Sequence, residues 1–232
     1  DKKVAYTFAV VAATIVLHGF SLPVLARLWD LRSTDRPGIL FVGGSRWTNE
    51  LAKRLEELDV PVLVVDRNWS HAQSARMAGL PVFYGEVLSE SAHHDVDLNK
   101  YSHLIATTDN DYYNALVCSD FGPEMGRSNV FQIGKLAEVS DRQQLNFTLG
   151  GKPFMEPGYT LSELRMKMAQ GWTFKATWLS DEYSYDDLLN ALPDDAVVLM
   201  SVRTDGGFLF PTMQGNEVPK SGASVVTFTP GG

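Results

Sequence analysis

Residues 38–55 read GILFVGGSRWTNELAKRL, and the reading of this stretch decides the fold. Ile39 to Val42 is a short apolar run suited to a strand. Trp47 to Leu58 follows helical spacing, with Leu51, Ala52, Leu55 and Leu58 on one face. Between them lies a turn of small residues. A strand, a glycine turn and a helix form the context in which a glycine fingerprint carries meaning. A phosphate can approach such a turn closely and sit at the helix N-terminus, where unpaired N–H groups and the helix dipole favour an anion. In GxGxxG spacing the three positions are Gly43, Ser45 and Thr48, so only the first is glycine. The Ser and Thr hydroxyls offer donors to a phosphate in place of the missing glycines. Gly44, Arg46 and Trp47 complete the turn.

Working outward, Pro61 to Val65 is a second apolar strand that ends at Asp66. A carboxylate there can accept both hydroxyls of an adenosine ribose and disfavours a 2′-phosphate, an exclusion that Arg67 softens. A helix over Ser70 to Ala78, stopped by Gly79, leads to a third strand, Val82 to Tyr84. Gly85-Glu86 closes that strand. Leu88 to Leu98 reads as a helix, His103 to Ala106 as a fourth strand and Asn110 to Phe121 as a helix. Asn129 to Ile133 is a fifth strand. Five strands alternating with helices predict an α/β fold, a Rossmann-like parallel sheet with helices on both faces. Ligands of such sheets collect at the carboxyl ends of the strands. The candidate nucleotide-binding residues are therefore Gly43, Gly44, Ser45, Arg46, Trp47, Thr48, Asp66, Arg67, Gly85, Glu86, Thr107 and Thr108. Asp109-Asn110 reads as a helix cap.

After Gly134 the rhythm is lost, and Gly150-Gly151 interrupts the chain. A helix over Thr160 to Gln170 then opens on a capping box, Thr160 with Glu163. Trp172 to Leu179 and Ala196 to Val202 are strands separated by an acidic insertion at 180–195. Gly206-Gly207 marks a hairpin into Phe208 to Pro211, and Val225 to Phe228 is a last strand. These elements predict a small α+β domain.

Composition narrows the function classes. The 232 residues are 44% hydrophobic and carry a net charge of -8, which suits a globular protein and argues against a nucleic-acid surface. A single cysteine, Cys118, excludes an internal disulfide framework and a multi-cysteine zinc site. His71, His93, His94 and His103 are scattered and form no metal motif or nucleophile–base order, so neither catalytic residues nor metal ligands are predicted. The head differs from the body. From Val4 to Ala26 no Asp, Glu, Lys or Arg occurs, and a helix of that length, roughly 35 Å, spans a bilayer. Arg27, Arg32 and Arg36 place the following flank on the cytoplasmic side. Without an initial Met, the segment is expected to be internal to a longer chain. A packing helix of a soluble protein is the competing reading of this head.

Residues 39–133 resemble the regulator-of-potassium-conductance N-terminal domain, also called the TrkA N-terminal domain. The resemblance runs through FVGGSRWTNELAKRLEEL, PVLVVDRN, AGLPVFYGE and SHLIATTDNDYYNALVC. It implies ligand contacts at Gly43, Ser45, Thr48, Asp66, Gly85, Glu86, Thr107 and Asn114. The tail from Gly158 to Phe228 is similar to the companion C-terminal domain of that family, through YTLSELRMK and the strands around Gly206-Gly207. The head, FAVVAATIVLHGFSLPVLARLWDL, looks like the last membrane helix of bacterial cation:proton antiporters of the sodium/proton exchanger type. The implied organisation is a transmembrane helix and flank (1–32), a linker (33–38), a TrkA-N-like domain (39–134), a connector (135–157) and a TrkA-C-like domain (158–232). The implied function is a cytoplasmic regulatory domain of a sodium or potassium/proton antiporter that senses NAD(H) or AMP and is not itself an enzyme. Its implied partners are the antiporter transmembrane domain, the lipid bilayer of the inner membrane and a second copy in a homodimer. A soluble NAD-dependent oxidoreductase and a stand-alone nucleotide-binding module remain the alternatives.

Overall fold

Two sheets of opposite character make up the body of the protein in this computed structural model, which describes residues 2–4, 6–15, 36–90, 92, 96, 97, 100–134, 150–212 and 217–231. The chain divides into two units, Asp1–Arg36 and Pro37–Gly232. In the first unit, residues 2–4 and 6–15 are helical, and Val4, Tyr6, Phe8, Val10, Val11 and Ile15 are exposed. Among the described residues no helix is long and apolar enough to cross a membrane. The expected span, 4–26, runs on into residues that lie outside the described ones.

The second unit begins with β1 (Gly38–Val42), α1 (Arg46–Glu56), β2 (Val62–Asp66), α2 (Trp69–Met77) and β3 (Val82–Tyr84). It continues with β4 (Tyr101–Ala106), α3 (Asp111–Met125), β5 (Val130–Gln132) and β6 (Lys152–Pro153). These strands form one sheet in the order β3-β2-β1-β4-β5-β6, with every pair parallel. The order reverses between β1 and β4, which is the switch point of a Rossmann-like sheet. β1 is buried along its whole length because helices cover both faces, so its sequence is continuous and apolar rather than alternating. The sixth strand, β6, is absent from the sequence reading: two residues, one of them proline, make no apolar run. Its edge position suits Pro153. Of the helix expected over 88–98, residues 90 and 92 are helical, while 91, 93–95, 98 and 99 lie outside the described residues.

The remaining elements are α4 (Leu161–Ala169), β7 (Thr173–Trp178), α5 (Tyr185–Ala191), β8 (Val197–Val202), β9 (Phe208–Leu209) and β10 (Ser224–Thr229). Their strands form an antiparallel sheet in the order β7-β10-β8-β9. α4 starts on the capping box that Thr160 and Glu163 announce. The acidic stretch at 180–195 contains α5, which starts on a second capping box, Ser184 with Asp187.

The inward face of α1 joins the two sheets. Leu51, Ala52 and Leu55 share one buried cluster with Ile39 and Phe41 of β1, and also with Phe174, Leu199 and Phe228 of the antiparallel sheet. Trp47 is fully buried at its centre, with ring centroids 6.2 Å from Phe154, 5.5 Å from Phe174 and 6.2 Å from Phe228. The other face of the parallel sheet packs Leu40, Val42, Leu104 and Ala106 against Val117, Cys118 and Phe121 of α3.

Candidate functional site

A pocket of about 200 Å³ opens at the carboxyl ends of β1, β2 and β4. Its floor is the turn from β1 into α1. Gly43 has φ +111, and a Cβ there would lie 2.9 Å from both Thr107 C and Thr108 N. No side chain fits there because the chain leaving β4 lies against the turn, and Gly43 and Gly44 bring only backbone to the pocket wall. Ser45 caps α1, its Oγ accepting from the Thr48 N–H at 3.1 Å. The Ser45 hydroxyl donates to Thr48 Oγ1 (2.9 Å), Thr48 Oγ1 donates to Thr107 Oγ1 (3.0 Å), and Thr107 Oγ1 donates to the Gly43 carbonyl (2.9 Å). This chain of hydroxyls ties the first turn of α1 to the end of β4. It also corrects the expectation that Ser45 and Thr48 donate to a phosphate, because their protons are used internally. Thr48 is fully buried and outside the pocket wall. The start of α1 also leaves the backbone N–H groups of Arg46 and Trp47 without a partner inside the helix, although neither residue lines the pocket.

Asp66, at the end of β2, has a side chain only 9% exposed. Its Oδ2 accepts from the Gly44 N–H at 2.6 Å and lies 3.0 Å from His71 Nδ1. Its Oδ1 accepts from the Asn68 N–H at 2.7 Å. Beside it, Arg67 reaches Glu86 Oε2 at 3.5 Å and stands 5.2 Å from the centre of the Tyr113 ring. The Tyr113 hydroxyl donates to Glu86 Oε1. Burial first, then this bond, pushes the Tyr113 hydroxyl well above the usual phenol range. Thr108 closes the β4 end: its hydroxyl donates to Asn114 Oδ1 at 2.6 Å, and Asn114 Nδ2 donates back to the Thr108 carbonyl at 3.1 Å. Asn114 is fully buried, so its part is to brace the loop. Asn110 caps α3, accepting from the Tyr113 N–H at 3.0 Å.

The structure gathers Gly43, Gly44, Ser45, Asp66, Arg67, Gly85, Thr107 and Thr108 into this one pocket wall. The other sequence candidates stand elsewhere. Trp47 belongs to the core, since its place on α1 faces the second sheet. Arg46 is exposed at the first position of α1 and does not line the pocket. Glu86 sits behind Arg67 and Tyr113 as their acceptor. Sequence reasoning passed over His71, Tyr113, Leu161 and Arg165, all of which line the pocket. The last two come from α4, one helical turn apart, from beyond the stretch that carried the glycine signal. Arg165 is exposed and has no carboxylate partner among the described residues. Cys118 lies outside the site. Burial pushes its thiol up to about 12, which removes it as a nucleophile near neutral pH. Among the described residues, no group of three His, Cys, Asp or Glu side chains could hold a metal ion; His93, His94 and Asp95 lie outside them.

Residues 39–126 match the family model of the TrkA-N domain. The TrkA-N match runs from β1 through α3 and includes Gly43, Asp66, His71, Thr107 and Tyr113, while Leu161 and Arg165 lie beyond it. Among solved structures, the chain is similar to the TrkA-N domain of the inner membrane protein ybaL from Escherichia coli. Identity is 20% and the TM-score 0.36, over 41% of this chain and 70% of that one. It is similar to the NAD(P)-binding domain of an exopolyphosphatase-related protein from Archaeoglobus fulgidus, at 17% identity and TM-score 0.37, over 46% of this chain and 80% of that one. It is also similar to the GsuK channel bound to NAD, at 17% identity and TM-score 0.42, over 84% of this chain and 36% of that one. No curated protein matches the chain.

Proposed function

We propose that residues 37–232 form a regulatory module that binds an adenine nucleotide, NAD(H) or AMP, at the switch point of its parallel sheet. The observation that carries this reading is the bare Gly43 turn, opening with Asp66 and Arg165 into one pocket. A phosphate is served there by the start of α1 and by the Arg165 guanidinium. A ribose is served by Asp66. The match of residues 39–126 to the TrkA-N domain supports the same reading. The regulated protein is the transmembrane domain of a sodium or potassium/proton antiporter in the bacterial inner membrane. In this reading the apolar head, 4–26, meets lipid, residues after about 27 are cytoplasmic, and the module works as a homodimer. The nucleotide acts by binding one conformation better than another, since equal affinity for both shifts nothing.

Calorimetric titration of the full chain in detergent with NAD, NADH, AMP and ATP tests the binding step. Saturable binding of one or more is expected, and Asp66→Ala weakens it about tenfold through loss of hydrogen bonds to a charged acceptor. Absence of heat and of thermal shift with all four at millimolar concentration ends the nucleotide reading. Cation flux through the antiporter, measured with and without the bound nucleotide, tests the regulatory step.

A further inference from the structure

The surroundings of Asp66 hold a conflict with its role as a ribose acceptor. A carboxylate offers about four lone-pair positions on its two oxygens. Three are already taken: Oδ2 by the Gly44 N–H (2.6 Å) and His71 Nδ1 (3.0 Å), and Oδ1 by the Asn68 N–H (2.7 Å). A ribose brings two hydroxyls, and one open position cannot take both. The donors differ in what can move. Gly44 and Asn68 donate from backbone held by the β1–α1 turn and by the cap of α2. His71 donates from a side chain that is 42% exposed and can swing toward solvent.

Resting on the nucleotide reading above, we infer that His71 is a specificity-determining residue: it occupies the diol position on Asp66, and only a ligand with both ribose hydroxyls displaces it. The imidazole keeps Oδ2 paired on both sides when no ligand is present, which leaves a single open position on Oδ1. A ligand with two hydroxyls replaces one donor by two. A ligand without them finds the position filled and gains nothing from Asp66. The site then selects ribonucleotides through a bond it must break as well as through the bonds it makes.

Titrations of the full chain with AMP and with 2′,3′-dideoxy-AMP separate this inference from the reading on which it rests. His71→Ala is expected to tighten AMP about tenfold by removing the competitor, with dideoxy-AMP unchanged. His71→Leu, which keeps bulk but cannot donate, gives the same result, and His71→Gln, which restores a donor, returns AMP affinity toward the wild-type value. AMP binding that weakens or does not change in His71→Ala and His71→Leu overturns the inference and leaves the nucleotide reading standing. Equal tightening of AMP and dideoxy-AMP also overturns it, because His71 would then block the pocket by bulk alone. If neither wild type nor His71→Ala binds AMP or NAD, the nucleotide reading fails and this inference falls with it.

Discussion

A methyl group at position 43 has nowhere to go, since the backbone of Thr107 and Thr108 stands 2.9 Å from where it would be. The φ of +111 adds strain for any L side chain. Gly43→Ala is expected to cost about 2–3 kcal/mol in urea denaturation and to separate β1 from β4 at the pocket floor. His103 makes a second prediction at this scale. Its ring stacks on Phe131 and packs against Phe208 and Phe210, and burial lowers its pKa from 6.5 to about 4. Above pH 6.5 the imidazole is neutral whether the chain is folded or unfolded. Between 6.5 and 4 the unfolded chain takes up the proton and the folded one does not, so stability falls as pH falls and levels off below about 4. The loss over that window reaches about 3 kcal/mol, and His103→Phe is expected to remove that share of the acid sensitivity in denaturation at pH 7.5, 5.5 and 4.5. The sequence was legible at this scale where period or turn chemistry spoke. Gly43 and Asp66 come from turn spacing alone. The turn context reads Trp47 as a pocket residue, yet it lies four and eight residues before Leu51 and Leu55, and that spacing puts it on the buried face of the helix and in the core. His71 could not be found this way, because a half-exposed histidine on a short helix breaks no pattern.

Among the elements, α4 links local sequence most directly to the pocket. Thr160 accepts from the Glu163 N–H, and the Glu163 carboxylate accepts from the Thr160 N–H. Thr160→Ala is expected to cost about 1 kcal/mol. Thermal unfolding would show this as a midpoint lower by roughly 2–4 °C for a chain of this size. The same helix carries Arg165 to the pocket. Arg165→Gln is expected to weaken AMP about tenfold while leaving adenosine unchanged, because only the phosphate carries charge for the guanidinium to meet. Calorimetry with both ligands reads the difference. Most elements were visible as apolar runs bounded by glycine, proline or a cap. β6 was not, because Lys152-Pro153 is placed by pairing with Phe131 and Gln132 and has no signal of its own. α5 was hidden by charge, though Ser184 and Asp187 form the motif that revealed α4.

At the scale of the whole 37–232 unit, the parallel and antiparallel sheets have no separate interiors on the α1 side. Trp47→Ala is expected to cost about 3–5 kcal/mol, the range for emptying a large aromatic from a packed core. Far-ultraviolet and near-ultraviolet circular dichroism are expected to lose signal in one coincident transition, before and after the substitution. Two transitions separated along the denaturant axis would show that the sheets unfold independently. This union was not legible in the sequence. Hydrophobic periodicity reports which face of α1 is buried, not which sheet it meets, and the change of rhythm after Gly134 reads equally well as a boundary or as a detour within one core.

The position of Trp47 also has a mechanical consequence. It stands two residues beyond Ser45, which lines the pocket, and its ring is wedged among Phe154, Phe174 and Phe228. A close-packed interior yields little volume, so α1 cannot shift at its pocket end without pushing on that aromatic wedge. The helix is thus fixed to the second sheet within its first turn, next to the pocket. A push on the Ser45 end of α1 would load Phe174 and Phe228 of the antiparallel sheet directly, with no loop in between.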